Sequence, residues 1–127
     1  MIASIDHLVL TTRDLERCVD FYTRVLGMSL ERFGQGRLAL RFGDQKINLH
    51  EAGQEFEPKA TSPTPGALDL CFLADRPLAE VIARLEGQGV KIVEGPVERT
   101  GACFGLLSVY VRDPDGNLVE IAVEAQG

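Results

Sequence analysis

The stretch IDHLVLTTRDLERCVDFYTRVLGM, residues 5–28, predicts a strand followed by a helix, and this pair of elements decides the fold of the chain. Ile5 to Thr11 is a short run rich in β-branched residues, as in a strand. The apolar residues that follow have the spacing of one helix face; they are Leu15, Cys18, Val19, Tyr22 and Leu26. Thr12 or Asp14 can cap the start of this helix, and Gly27 can adopt the left-handed conformation after its end.

The remainder of the first half predicts three further strands separated by glycine-containing turns. They are 28–33, 37–42 and 46–50. Residues 51–66 are polar and include Pro58, Pro63 and Pro65, which are excluded from a helix interior or a central strand. This segment is either a linker or a lid over a site.

The second half predicts the same order of elements. Residues 68–73 form a strand, and the next helix begins with Asp75 as a possible cap and Pro77 in its first turn. Three strands complete the half, and the last two are joined by the turn sequence DPDGN. They are 90–94, 106–112 and 118–124.

A direct comparison of the two halves indicates an internal repeat. An offset of 62 residues places His7 on Asp69, and an offset of 72 places Asn48 on Glu120. We therefore predict an α+β fold in one domain, residues 1–127, that consists of two β-α-β-β-β modules. Module one covers about 4–50, the linker 51–66 and module two about 67–124.

The composition excludes several classes of protein. The chain has 127 residues, of which 45% are hydrophobic, and a net charge of −6 from 13 basic and 19 acidic residues. The basic residues are scattered, which argues against binding to nucleic acid or to a membrane surface. The N-terminal sequence has neither a signal peptide nor an apolar run of about 20 residues, so we expect a cytoplasmic protein. The three cysteines, widely spaced, do not indicate disulfides or a zinc site, and we expect Cys18 and Cys71 in the core.

Polar side chains share one face of the predicted strands, because alternate residues of a strand point the same way. His7 lies in an apolar strand, and the repeat pairs it with Asp69, while Asn48 pairs with Glu120. On a concave sheet such groups suit a divalent first-row metal, with His50 as a further nitrogen donor. A structural hydrogen-bonded pair of His7 and Glu120, and ordinary solvated side chains elsewhere, are the alternatives.

Several motifs together resemble those of the vicinal oxygen chelate superfamily, which includes glyoxalase I, fosfomycin-modifying enzymes, extradiol dioxygenases and bleomycin-resistance proteins. The motifs are IDHLVL (5–10), FYTRVLGM (21–28) and VRDPDGNLVEI (111–121). Four further stretches are similar, more narrowly, to glyoxalase domain-containing protein 5 and its bacterial relatives; they are LRFGDQKINLHEAG (40–53), PTPG (63–66), DLCF (69–72) and EGPVERTG (94–101). The resemblance implies paired modules that form a cupped mixed sheet with helices on its outer face. It also implies a homodimer and a divalent metal inside the cup.

The resemblance places the metal positions at His7, Asn48, Asp69 and Glu120. Glyoxalase I relatives usually have a carboxylate in place of Asn48, and fosfomycin enzymes and dioxygenases usually have a histidine in place of Asp69. A set of His7, His50 and Glu120 would restore two histidines and one carboxylate, which suits iron, nickel or manganese. We therefore expect the metal ligands to come from His7, His50, Asp69 and Glu120, with nickel, iron(II), manganese, cobalt or zinc as the ion.

The expected function is a metal-dependent enzyme that acts on a small oxygen-chelating substrate, by glyoxalase-type isomerisation or by ring-cleaving dioxygenation. Glu120 or Asp69 would transfer the proton. We assign substrate binding to Asn48, Arg41, Arg99 and Tyr110, although for both arginines an ordinary solvated side chain is the favoured interpretation. The alternative is a metal-free protein that sequesters a small molecule or drug, as the bleomycin-resistance branch does.

Overall fold

The computed structural model describes residues 1–126, which divide into two compact units, Met1–Ala67 and a second unit that begins at Leu68. Each unit has the element order β-α-β-β-β, so the α+β class and the repeated order of elements are confirmed. No helix within the described residues is long and apolar enough to cross a membrane.

The first unit contains four strands and one helix. The elements are β1 (His7–Thr12), α1 (Leu15–Asp20) with a π-helical turn directly after it (Phe21–Val25), β2 (Ser29–Phe33), β3 (Arg37–Phe42) and β4 (Gln45–Glu51). The Asp14 carboxylate caps the helix by accepting a hydrogen bond of 3.1 Å from the backbone N–H of Arg17. Gly27 has a φ of 79° after the π-helical turn, as expected for a glycine at this position.

The strands of the first unit form one sheet in the order β1-β4-β3-β2, with β1 parallel to β4 and the other pairs antiparallel. One face of this sheet is apolar, and its residues Leu10, Leu40 and Ile47 are completely buried. The helical segment contributes the buried side chains of Cys18 and Tyr22. Burial of each large apolar side chain stabilises the fold by about 1.5–3 kcal/mol, so this layer is the core of the unit.

The second unit repeats this topology. Its elements are β5 (Asp69–Leu73), α2 (Leu78–Gly87), β6 (Glu94–Thr100), β7 (Gly105–Arg112) and β8 (Leu118–Glu124). The sheet order is β5-β8-β7-β6, with β5 parallel to β8. Leu85 of α2 and Val109, Val111 and Val119 of the sheet are buried and form the core.

The turn before β8 positions this strand against β5. Asp113 Oδ1 accepts hydrogen bonds of 2.9 Å from the backbone N–H groups of Asp115 and Asn117. Asn117 Oδ1 in turn accepts a 2.8 Å bond from the N–H of Leu68. The predicted turn is thus confirmed, and its side chains connect the start of β8 to the start of β5.

Two local predictions for the second unit were wrong. The strand predicted at 90–94 lies at Glu94–Thr100, because this more polar segment pairs with β7 through Val97 and Ser108. It is an edge strand, where the missing N–H of Pro96 is tolerated. The predicted cap Asp75 instead pairs with Arg76 at 3.3 Å, since α2 begins after Pro77 and Asp75 lies too early in the chain to cap it.

Candidate functional site

A polar cavity of about 540 Å³ lies on one face of the second unit. It is lined by Asp69, Val93, Glu94, Arg99, Tyr110, Arg112, Leu118 and Glu120. Five of these eight side chains carry a formal charge, and both signs are present. The cavity therefore suits a small polar ligand better than an apolar one.

Strand register brings the central residues of this face together. Glu120 on β8 lies between Cys71 on β5 and Tyr110 on β7, each of which is its direct partner in the ladder. Asp69 lies two residues before Cys71 and therefore points to the same face. These side chains lie around the Glu120 carboxylate because β8 pairs with both β5 and β7.

The Glu120 carboxylate is anchored by Ser108. The Ser108 hydroxyl donates a hydrogen bond of 2.6 Å to Glu120 Oε2, and Ser108 is completely buried while Glu120 is half-buried. A hydroxyl–carboxylate bond of this length is charge-assisted and stronger than a neutral one. The Ser108–Glu120 partnership was not predictable from local sequence, because twelve residues separate the two.

Cys71 contacts the same carboxylate from the other side. Burial raises the pKa of its thiol to about 11, and the negative charges of Glu120 and Asp69 add to the shift. The expectation that Cys71 lies in the core was wrong, because it points to the polar face and is exposed, whereas Cys18 is buried as expected. The thiol stays protonated at neutral pH, so it is a weak hydrogen-bond donor rather than a nucleophile.

Arg99 and Tyr110 form a second pair in the cavity. Arg99 Nε donates to the Tyr110 hydroxyl oxygen at 2.9 Å, and Arg99 Nη2 lies 3.4 Å from Glu94 Oε1. The pKa of Tyr110 is raised, chiefly by burial and further by the negative charge of Glu120. The hydrogen bond from Arg99 lowers this pKa and offsets part of the increase. Tyr110 is therefore a neutral phenol whose hydroxyl oxygen accepts a hydrogen bond from Arg99 and which interacts with Glu120.

His7 lies in the first unit, at the start of β1. Its side chain is 43% exposed, and its Nδ1 lies 2.8 Å from Asp6 Oδ1. The pKa of Asp6 is lowered, chiefly by this hydrogen bond. His7 is thus a partly solvated imidazole whose Nε2 has no protein partner among residues 1–126.

His50 lies on the same face of this sheet but at the other end of the strand pair. His7 is in register with Lys46, whereas His50 is in register with Thr11. Four residues of strand separate the two positions by about 13 Å along the strand direction. A shared ion would require both side chains to extend towards each other along the strands, and the set His7, His50 and Glu120 stays a prediction.

Two buried polar atoms on β4 have no hydrogen-bond partner within residues 1–126. They are Asn48 Oδ1 and His50 Nε2, in residues that are 6% and 3% exposed. Such an atom costs about 1–3 kcal/mol when it remains unpaired. Burial lowers the pKa of His50, and the positive charge of Arg37 adds to the effect, so the imidazole is neutral at pH 7.

The predicted metal ligands are divided between the two units, with His7 and His50 in the first and Asp69 and Glu120 in the second. Residues 1–126 contain no group of three His, Cys, Asp or Glu side chains that could hold a metal ion. The assignment of metal ligands therefore stays a prediction.

The predicted substrate-binding residues are also divided. Arg99 and Tyr110 line the cavity of the second unit together with the predicted catalytic residues Asp69 and Glu120. Asn48 is buried in the first unit, where the Arg41 guanidinium forms an ion pair of 3.1 Å with Glu31. Sequence reasoning did not assign site roles to Ser108, Glu94 or Arg112, although Glu94 and Arg112 lie in the motifs at 94–101 and 111–121.

Comparison with known proteins gives matches along almost the entire chain. The model of the Glyoxalase/Bleomycin resistance protein/Dioxygenase superfamily matches residues 4–121. Glyoxalase domain-containing protein RDO1 of Mycosarcoma maydis is 56% identical over 95% of this chain and 68% of its own length. Virulence protein STM3117 of Salmonella typhimurium is 55% identical over 96% of this chain and 85% of its own length.

Structural similarity supports the same relationship. The crystal structure of STM3117 superposes with a TM-score of 0.96 at 54% identity and covers 98% of this chain and 99% of that chain. A more distant relative, the lactoylglutathione lyase of Pseudomonas aeruginosa, is 30% identical over 91% of this chain and 80% of its own length.

Proposed function

The chain belongs to the glyoxalase/bleomycin resistance protein/dioxygenase superfamily, and we propose that it is an enzyme that isomerises a small anionic hydroxy-carbonyl compound in the cavity of the second unit. The observation that carries this proposal is the Glu120 carboxylate, held by Ser108 and facing a cavity that also contains Arg99. The similarity to a lactoylglutathione lyase supports the reaction class.

Glu120 is the proposed proton carrier. It removes the proton from the carbon that bears the hydroxyl group, and the electron pair moves to the adjacent carbonyl to form an enediolate. The same carboxylic acid then returns the proton to the neighbouring carbon. The O–H bond on the first carbon breaks to form the new carbonyl, and its proton passes to the alkoxide oxygen on the neighbouring carbon, so that no oxidant or reductant is needed. A positioned carboxylate of this kind contributes about 10²–10⁴-fold to the rate.

Arg99 is proposed to bind the anionic group of the substrate. Its side chain is 39% exposed, and its contact with Glu94 is long, at 3.4 Å, so a carboxylate or phosphate can replace Glu94 there. The Tyr110 hydroxyl, which accepts from Arg99 Nε, maintains the orientation of the guanidinium. Arg112 lines the same cavity and adds positive charge.

Metal dependence is a separate question. Superfamily members commonly use a divalent metal ion, which would stabilise a developing enediolate as a Lewis acid. Because the described residues contain no group of three ligands, the roles proposed for Glu120 and Arg99 do not involve a metal. The metal dependence expected from the sequence stays a prediction, as do ring-cleaving dioxygenation, the cytoplasmic location and the homodimer.

The alternative of a metal-free protein that sequesters a drug finds less support in the cavity. Five charged side chains line it, and Tyr110 is its only aromatic residue among the lining residues of the described chain. A large planar apolar compound would have to desolvate these charges without pairing them, which is unfavourable.

The test is an isomerisation assay in D₂O with a panel of hydroxy-carbonyl compounds, which includes hemithioacetals of methylglyoxal with thiols that carry a carboxylate. NMR measures both turnover and incorporation of solvent deuterium. We expect Glu120→Gln to reduce kcat at least 10²-fold, because the amide cannot accept the proton. The matched control is Glu124→Gln, an exposed carboxylate on the same strand, which should retain wild-type turnover.

Two results would overturn the proposal. One is that Glu120→Gln turns over a substrate as fast as the wild-type chain. The other is that no member of the panel, with or without divalent metal in the buffer, undergoes isomerisation or deuterium exchange.

A further inference from the structure

The linker segment, residues 52–67, has few backbone contacts with the rest of the first unit. It contains no helix or strand. At its start the Ala52 N–H donates a hydrogen bond of 2.9 Å to the carbonyl oxygen of Thr12 on β1. Within residues 1–126, no backbone hydrogen bond joins residues 55–63 to a strand. Because little backbone structure would be lost, the middle of the segment can open locally while the sheet stays folded.

Phe56 is the residue through which this segment packs on the sheet. Its ring centre lies 5.8 Å from that of His50 on β4, in an edge-on arrangement, and 4.9 Å from the guanidinium carbon of Arg37 on β3. Phe56 is 38% exposed, so most of its surface is covered, whereas the neighbouring Glu57 side chain is largely exposed. The Phe56 ring is thus the part of the segment that points towards the sheet.

Arg37 provides a positioned surface for this ring. It lies directly opposite Phe33 on β2, and its guanidinium carbon is 5.2 Å from the Phe33 ring centre. The guanidinium therefore contacts two aromatic rings, one from the sheet and one from the linker segment. A cation within about 6 Å of a ring centre is attracted by the negative face of the ring. The sheet thus holds Arg37 where it can retain Phe56.

We propose that the linker segment is a lid over the His50 end of β4, and that the Phe56 ring, placed against Arg37, holds this lid closed. When the ring leaves Arg37, the middle of the segment moves away from β4 and His50, which is only 3% exposed, becomes accessible to solvent. The proposal concerns the conformation of the first unit and does not depend on the isomerisation proposed for the second.

The strength of the contact makes the closure reversible. A contact between a cation and an aromatic ring corresponds to a preference of about 2- to 30-fold for the closed state, depending on how far the pair is removed from water. Loss of the contact should therefore raise the open population by a similar factor. The open lid is a minor state that can be measured without unfolding the unit.

Limited trypsin digestion of the folded full chain tests the lid, because Lys59 is the sole basic residue of the linker segment. Proteases cut a folded chain where it opens locally. We expect the bond after Lys59 to be cut about tenfold faster in Phe56→Ala than in the wild-type chain, and about threefold faster in Arg37→Gln. Mass spectrometry of the fragment that ends at Lys59 measures the rate.

Three controls separate opening of the lid from other effects. Arg32→Gln makes the same chemical change at an exposed arginine on β2 and should be cut at the wild-type rate. Phe56→Trp retains an aromatic ring beside Arg37 and should be cut as slowly as the wild-type chain. The bond between Arg24 and the buried Val25 reports unfolding of the whole unit, and its cleavage should be the same in every variant.

Three results would overturn the proposal. The first is equal cleavage after Lys59 in Phe56→Ala and in the wild-type chain, as for an ordinary surface loop. The second is cleavage of Arg37→Gln that is no faster than that of Arg32→Gln. The third is an acceleration after Lys59 that is matched by an equal acceleration after Arg24, which would show that the unit unfolds as a whole.

Discussion

Ser108 donates its hydroxyl hydrogen to Glu120 Oε2 over 2.6 Å, from a completely buried position on β7 to the adjacent strand β8. Ser108 and Glu120 are not directly opposite each other in the ladder. The direct partner of Ser108 is Ala122, which lies two residues after Glu120 on β8. The bond therefore runs diagonally and fixes one orientation of the carboxylate. Any chemistry at Glu120 depends on this positioning residue.

We expect Ser108→Ala to lower kcat by about tenfold with little change in KM, because the carboxylate loses its charge-assisted donor but the substrate contacts remain. Steady-state kinetics on the substrate found in the isomerisation assay measure this. Ser108→Cys, which retains a weak donor of similar size, should recover part of the loss. A Ser108→Ala enzyme with wild-type kcat would exclude the positioning role.

For Arg99→Lys we expect the opposite kinetic pattern, an increase of KM by about tenfold with a smaller effect on kcat. A lysine cannot donate to the Tyr110 hydroxyl and to a substrate anion with the same planar geometry as the guanidinium. Lys91→Gln, a change of charge outside the residues that line the cavity, is the control. If KM is the same in Arg99→Lys and in the wild-type chain, Arg99 does not bind the substrate.

The buried imidazole of His50 predicts a pH dependence of stability. Burial lowers the pKa of His50 in the folded state, so the unfolded chain binds a proton more readily below the ordinary value of about 6.5. Proton uptake then favours the unfolded state, and the free energy of unfolding should fall between pH 7 and pH 5. Urea denaturation at four pH values measures this decrease.

In His50→Leu this decrease should largely disappear, and Phe56→Ala should weaken it, because removal of the covering ring hydrates the imidazole. Gln45→Leu, at the exposed start of β4, serves as the control, and its curve should parallel that of the wild-type chain. A His50→Leu curve with the wild-type slope would show that other groups cause the pH dependence.

Metal dependence is tested by thermal unfolding of chelator-treated protein with manganese, iron(II), cobalt, nickel and zinc. The ligand assignment made from the sequence predicts that one or two of these ions raise the Tm. An ion at 100 times its Kd stabilises the folded state by about 2.7 kcal/mol, which is several degrees for a chain of this size.

The ligand assignment also predicts that His7→Ala and Glu120→Ala abolish the metal effect. His50→Leu separates the two histidines, because the register of β1 and β4 places His50 far from His7. A Tm increase with metal equal to that of the wild-type chain would remove His50 from the assigned ligands. The absence of an increase with every ion would reject the metal assignment.

A homodimer is predicted as well. β1 and β5 are edge strands of their sheets and expose Val9 and Leu73 at 41% and 61%, respectively. Unpaired edges with apolar side chains generally require a cover. Light scattering at micromolar concentration should give twice the chain mass of 13.9 kDa, and Val9→Lys should shift this value towards the monomer. A monomeric mass for the wild-type chain would contradict the prediction.

The order of elements was predictable from local patterns. Apolar residues repeat every two positions in the strands and with helical spacing in α1 and α2, and these periods require no knowledge of distant residues. The turn at 113–117 was equally readable, because Asp113 and Asn117 are bonded to each other and to the backbone of the same turn. The position of strand β6 was not predictable from local patterns, because its polar sequence forms a strand only through pairing with β7.

Candidate residues were predictable by type, and their grouping was not. Asp69, Arg99, Tyr110 and Glu120 were all selected from the sequence, and all four line one cavity. His7 and His50 were selected by the same reasoning, but the register of β1 and β4 places them four residues apart. Chemical type is a local property, whereas proximity depends on which strands pair.

Two β-α-β-β-β units, the turn between the last two strands and the polar face of the sheet thus follow from the order of residues alone, because each depends on neighbours within a few positions. The Ser108–Glu120 bond, the Arg99–Tyr110 pair and the unpaired atoms of Asn48 and His50 were decided only by the folded chain. Each depends on strand register, and a shift of one residue would turn the same side chains to the opposite face of the sheet.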